Sequence, residues 1–153
     1  MAKLNIDNAI ETIVSRLETI QTDESASFRS VEIGFRKGRE MAAGEYPAAM
    51  IGLRSVAIGE QEDCGNALLV CLVRGRNIRA ELTSLRAEIA DLSMESFDDI
   101  QISDVEIGDL FPGYTESAEV EALPDGAFIA SWLGIERPTA GFFTTFKITV
   151  DAG

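Results

Sequence analysis

No histidine occurs anywhere in the 153 residues. That absence removes Ser-His-Asp and Cys-His activation of a nucleophile, and with it the commonest zinc ligand. Cysteine is scarce: only Cys64 and Cys71 occur. Two thiols are too few for a structural zinc site or a disulfide framework, so both are read as free, and a reducing compartment is expected. Long apolar runs are also missing. The longest, residues 67–73, falls far short of the roughly 20 residues a membrane-spanning helix needs. Met1-Ala2-Lys3-Leu4 leads into a helical pattern and lacks the apolar core of a signal peptide. Lysine and arginine are absent from residue 87 to residue 136, where 13 of the 26 acids lie. The rest of the chain holds the other 13 acids and all 13 bases, so the net charge of −13 comes from that stretch. It reads either as a solvated acidic face or as a contact surface for a basic partner, another copy of the chain included.

What is present describes a sheet with two helices. Residues 67–73, Ala-Leu-Leu-Val-Cys-Leu-Val, have no polar face, the pattern of a strand covered on both sides. Apolar residues then recur at Ile78, Leu82, Leu85, Ile89 and Leu92. Steps of four and three keep one stripe on a 3.6-residue period, which predicts an amphipathic helix capped by Asn77. Ile6, Ile10, Ile13, Leu17 and Ile20 repeat the stripe and predict a helix over 5–20, with Asn5 as cap. Residues 22–27 are small and polar, a loop. Alternation predicts a strand over 29–35, with Val31, Ile33 and Phe35 on one face. Residues 36–44 read as a mobile basic loop around Gly38. Pro47, without an N–H, belongs at the start or edge of the next strand, 46–58, and Gly52 marks a bend within it.

Residues 60–63 form a polar turn, and 93–99 a polar link anchored by Met94 and Phe97. Ile100 and Ile102 are out of phase with Val105 and Ile107, so one extra residue near Ser103-Asp104 is expected as a β-bulge. Phe111-Pro112-Gly113-Tyr114 is a turn signal. Pro124-Asp125-Gly126 predicts a hairpin joining strands 117–123 and 127–133, with Trp132 on the side of Phe128 and Ala130. A loop over 137–141 precedes the cleanest strand, 142–150, where Phe142, Thr144, Phe146, Ile148 and Val150 share a face. The expected fold is α+β over one domain, 1–153: a mainly antiparallel sheet with an N-terminal and a central amphipathic helix packed on it. The acidic segment 95–126 is expected as an extended hairpin or insertion.

Chemistry is mostly excluded. Gly34-Phe35-Arg36-Lys37-Gly38 lacks the spacing of a phosphate loop and the helix that follows one. Asp98 with Asp99, and Asp104 with Glu106, are carboxylate pairs of the kind that bind Mg²⁺ or act as acid and base. In so acidic a stretch such pairs arise by chance, and the chain is expected to be no enzyme, with no cofactor and no metal. The bases form two patches, Arg36, Lys37 and Arg39, and Arg74, Arg76 and Arg79. The net charge and the lack of interleaved aromatics oppose nucleic-acid binding there. Each patch is read as a solvated loop or as a contact for an acidic protein neighbour. The candidate interface residues are therefore Arg36, Lys37, Arg39, Arg74, Arg76, Asp98, Asp99, Asp104 and Glu106.

The order of elements carries a resemblance. An N-terminal helix precedes a strand, a basic loop and a strand opening on Tyr46-Pro47-Ala48-Ala49. A strand-then-helix unit, a hairpin and the closing strand Phe143-Thr144-Thr145-Phe146-Lys147-Ile148-Thr149-Val150 complete it. This order resembles the tail terminator (tail completion) proteins of tailed bacteriophages and the related tail-to-head joining proteins. The resemblance covers most of the chain, in element order only, and 95–126 is longer and more acidic than the family pattern. It implies a structural virion protein at the tail–neck junction, assembled in the host cytoplasm. Such a protein forms a homohexameric ring that caps the tail tube and meets sheath and neck or connector proteins. It implies DNA passing through the lumen and no membrane partner. The alternative from another class is a monomeric acidic protein-binding module, a nucleic-acid mimic or small regulator.

Overall fold

The computed structural model describes residues 5–20, 28–74, 78–94, 100–109, 124–135 and 139–151. Strand β3, Glu62–Arg74, is the middle of a five-stranded sheet. Its neighbours are β2, Ala48–Ile58, and β5, Thr139–Asp151, both antiparallel to it. Strand β1, Ser30–Ile33, lies beyond β2 and runs parallel to it. Strand β4, Ile100–Asp109, lies beyond β5 and is antiparallel. The order is thus β1-β2-β3-β5-β4, and the fold is α+β with a mostly antiparallel sheet, as expected.

One face carries the larger core. Helix α1, Asn5–Glu18, and helix α2, Ile78–Met94, lay their stripes on it. Ile6, Ile10, Ile13 and Leu17 of α1, and Leu82, Leu85, Ile89 and Leu92 of α2, are buried there against Ala67, Leu69, Cys71 and Val73 of β3 and Phe142, Phe146, Ile148 and Val150 of β5. The predicted four-three stripes therefore face the sheet, apart from Ile78, whose side chain lies outside the described ones. Asn5 already lies in the first turn of α1, and its side-chain nitrogen donates to the Asp151 carbonyl at 3.0 Å. Arg86 of α2 sits 5.6 Å above the Phe142 ring. Thr144 shares the buried face, as the alternation predicts, and its hydroxyl has no hydrogen-bond partner among the described residues.

Among the described residues, the other face is covered at one end only. Helix α3, Pro124–Leu133, and the β1–β2 connection pack there on Ala48, Met50, Leu68, Val70, Leu72 and Phe143. The rest of that face bears Ser55, Cys64, Asn66, Lys147 and Thr149, and is open and polar.

The predicted β-bulge is present. Between Ser103, paired with Lys147, and Glu106, paired with Thr145, β4 has one residue more than β5, and Asp104 adopts φ 53°. The extra residue returns Ile107 to the side of Ile100 and Ile102, all three packed on the larger core, and leaves Val105 exposed.

Several expectations are corrected. Residues 127–133 are helix α3 and not half of a hairpin. Proline is favoured in a helix's first turn because its missing N–H has no partner there, and an aspartate beside it suits the dipole. Ile129, Ala130 and Leu133 are buried together, a helical spacing, while Trp132 turns away from Ala130 and is 45% exposed. The helix stops at Gly134, φ +63°, with Ile135 N–H donating to Ala130 C=O and Gly134 N–H to Ser131 C=O, a glycine C-cap of the Schellman type. Second, β1 ends at Ile33, because Gly34 takes φ +104°. Val31 packs on the larger core, Ile33 is exposed, and Phe35 passes to the opposite face.

Third, residues 36–44 are no open loop. Two short 3-10 turns, Gly38–Glu40 and Ala43–Glu45, carry the chain across the second face, where Met41 and Tyr46 are buried. Fourth, β5 starts at Thr139, inside the loop expected over 137–141, because Thr139 and Ala140 pair with Arg74 and Val73. Ser93 and Met94 likewise belong to α2. The irregularity in β2 falls between Leu53 and Ser55, just past Gly52. Gly52 instead makes room for the Phe35 ring, which a Cβ there would meet at 2.7 Å. Within the predicted segment 95–126, residues 100–109 are strand and 124–126 begin α3. The rest of it, with strand 117–123, loop 22–27 and the Asn77 cap, lies outside the described residues.

Candidate functional site

The covered end of the second face holds a cleft of about 430 Å³. Its walls come from four elements. The first 3-10 turn brings Lys37, Gly38 and Arg39, and the approach to β2 brings Tyr46. The paired ends of β3 and β5 bring Arg74 and Thr139. The end of α3 brings Ser131, Trp132, Leu133, Gly134 and Ile135. Gly38 lets the turn approach α3: a Cβ there would stand 2.9 Å from the Gly134 carbonyl oxygen. Trp132 is braced by Phe35, ring centroids 5.5 Å apart and tilted by 56°, and Phe35 rests on Gly52.

The cations around the cleft are not equivalent. Arg36 is held within the chain: its Nε donates to Glu32 at 2.8 Å, and its Nη2 lies 2.6 Å from Glu32 and 2.8 Å from Glu45. These hydrogen bonds, Glu45 foremost, raise the Arg36 pKa further above its ordinary value. Glu45 is held below its ordinary value by Arg36 first and by the Ala42 N–H second, which donates at 2.8 Å. A carboxyl lowered in the folded state contributes stability above its unfolded value, and that stability is lost as pH falls through the folded value. The Arg36–Glu45 link thus acts fully above the ordinary glutamate value of 4.5 and fades below it. Accordingly, the Tm difference between wild type and Glu45→Gln should hold constant through neutral pH and shrink on acidification below that value. A difference independent of pH down to pH 3 would show that the ionised link does not secure the second 3-10 turn.

Lys37, Arg39 and Arg74, by contrast, are exposed and form no ion pair among the described residues. Of the bases singled out from sequence, the fold thus brings Lys37, Arg39 and Arg74 to one cleft and turns Arg36 to a structural task. Arg76, Asp98 and Asp99 lie outside the described residues. Asp104 and Glu106 stand exposed at the bulge of β4, the strand at one edge of the sheet. Asp104 also borders a shallow groove on the open half-face with Arg54 and Lys147. Sequence reading missed Tyr46, Ser131, Trp132 and Gly134 as lining residues. The buried trio at 129, 130 and 133, followed by glycine, is the signal that would have placed Trp132 at a helix end.

The two thiols sit on opposite faces of β3. Cys71 is wholly buried in the larger core, where burial pushes its pKa far up, so its reactive thiolate is suppressed. Cys64 is half-buried on the open half-face, 3.8 Å from the Thr149 hydroxyl. One thiol should therefore react with a thiol reagent in the native state and two in denaturant. Rapid native labelling of both would mean that α1 and α2 do not close over β3.

Among the described residues, no three or more His, Cys, Asp or Glu side chains are grouped to hold a metal ion. No helix among them is long and apolar enough to cross a membrane. Set against protein-family models and curated proteins, the chain matches none.

Proposed function

We propose that the chain is a ring-forming structural protein of the tail terminator type, joining a phage tail tube to the neck. The observation that carries this reading is the placing of two unlike patches on one chain. A basic cleft, whose Lys37, Arg39 and Arg74 form no ion pair among the described residues, lies at the covered end of the sheet, and exposed acids lie on the outer strand β4. Two different complementary patches make a head-to-tail contact, which closes into a ring when the rotation per copy allows. Face-to-face pairing would instead set like charges together. The element order supports the same reading, with α3 standing where the family pattern has a hairpin. The open, polar half-face of the sheet suits a wall lining a wet passage, and the ring needs no catalytic group.

The test is assembly state. Light scattering on the purified chain, with electron microscopy of negatively stained particles, should give closed rings near six times the 16.6 kDa chain mass. The same rings should appear at the head-proximal end of tail tubes incubated with the chain. A chain that stays monomeric alone and with tubes, while binding a basic protein tightly, would replace this reading with that of an acidic binding module.

A further inference from the structure

We propose that the basic cleft receives the bulge of strand β4 from a second copy. In this contact Asp104 and Glu106 meet Lys37, Arg39 and Arg74, and Val105 packs against Trp132. The inference rests on the ring reading and specifies its interface.

Three observations converge on it. The cleft joins three cations that form no ion pair among the described residues to a tryptophan that is 45% exposed. The bulge presents the complementary triplet, an apolar residue between two carboxylates, and Val105 is among the few large apolar side chains left exposed among the described residues. A chain cannot fill its own cleft with its own bulge. Glu106 pairs with Thr145, six positions along β5 from Thr139 at the cleft, roughly 20 Å at about 3.3 Å per residue. Both ends are fixed in one sheet, so the donor must be another molecule. The chemistry also disfavours an extended polyanion as occupant. Glu40 and Glu45 lie on the same connection as Lys37 and Arg39, Glu32 lies in the strand before it, and each copy carries −13, so only a short, local acidic edge is matched. Ions at physiological strength confine charge effects to about 8 Å. Association should therefore be strongest at intermediate salt, where repulsion between whole copies is screened and the close pairs still act.

Trp132 is the only tryptophan, so its emission reports the cleft directly. Light scattering and tryptophan emission are to be measured in the same concentration and salt series. The series includes wild type, Lys37→Glu with Arg74→Glu, and Asp104→Lys with Glu106→Lys, each first shown by circular dichroism to be folded. Wild-type association should shift the emission to the blue in step with mass. Each double variant should associate about tenfold or more weakly, the loss expected from several exposed charge pairs turned repulsive. An equimolar mixture of the two should recover association, because each supplies what the other lacks.

Association with unchanged emission, or double variants that assemble as wild type does, would overturn the cleft contact and leave the ring reading standing. Emission-coupled open filaments or dimers would support the contact and overturn the ring. A blue shift on adding a short oligonucleotide or inorganic phosphate, with none on self-association, would overturn the contact and make the cleft a phosphate site. A wild-type chain that remains monomeric with constant emission would also overturn the contact.

Discussion

Replacing Leu85 with alanine is expected to destabilise the fold by about 2–5 kcal/mol, the range for removing a fully buried leucine. Leu85 has no solvent exposure and sits on α2 between Leu82 and Ile89, facing the first side of the sheet. Truncation removes the transfer energy of its side chain and leaves a cavity that rigid neighbours on β3 and β5 cannot fill. For a chain of this size each kcal/mol lowers Tm by about 2–4 °C, so a drop of about 4–20 °C should appear in thermal unfolding followed by circular dichroism. Thr83→Ala on the exposed side of the same helix is the control, expected within about 0.5 kcal/mol of wild type. Equal small effects at both positions would mean that α2 does not close the core.

Gly38→Ala should cost about 1–3 kcal/mol, the usual penalty for forcing atoms into a packed site. The added Cβ would stand 2.9 Å from the Gly134 carbonyl oxygen, and that oxygen belongs to backbone fixed by the C-cap of α3. A flexible side chain would yield cheaply, but here the 3-10 turn or the helix end must move. Since the same approach forms one wall of the cleft, the variant should also disturb Trp132 emission and weaken association. Gly44→Ala provides the contrast. Nothing lies within 4 Å of a Cβ at that position, so only the unfolded-chain term operates, a gain of about 0.4–1 kcal/mol. Chemical denaturation of the two variants separates steric contact from glycine flexibility. If both shift stability alike, the turn does not rest on α3.

Particular residues show how far the sequence alone reached. The stripes of α1 and α2 and the unbroken apolar run of β3 were legible because burial imposes a period on residues that neighbour one another in sequence. The bulge at Asp104 was legible for the same reason, as a phase error between Ile102 and Ile107 that only an extra residue repairs. Helix α3 was misread. Pro-Asp-Gly starts helices and turns alike, and a segment apolar on most sides carries little periodicity to separate strand from helix. Phe35 was misplaced because its face depends on one dihedral, the positive φ of Gly34, which alternation cannot anticipate. Arg36 looked like its neighbours Lys37 and Arg39. Its separation from them comes from Glu45, nine positions away, which the 3-10 turns carry back to it.

By itself, then, the chain determined the kind of architecture: two one-sided helices, a doubly covered central strand, an acidic half and no nucleophile chemistry based on histidine. These follow from composition and from short-range periodicity, where each residue's environment is constrained by its sequence neighbours. Only the tertiary structure decided which side of the sheet α1 and α2 cover, that Arg36 is neutralised, and that Lys37, Arg39 and Arg74, without an ion pair among the described residues, gather around Trp132. Those outcomes depend on sheet order, on Arg74 meeting Thr139 across a strand pair and on Gly38 meeting Gly134 across the cleft. Such contacts join residues far apart in the chain, and their energies come from packing that no local pattern encodes.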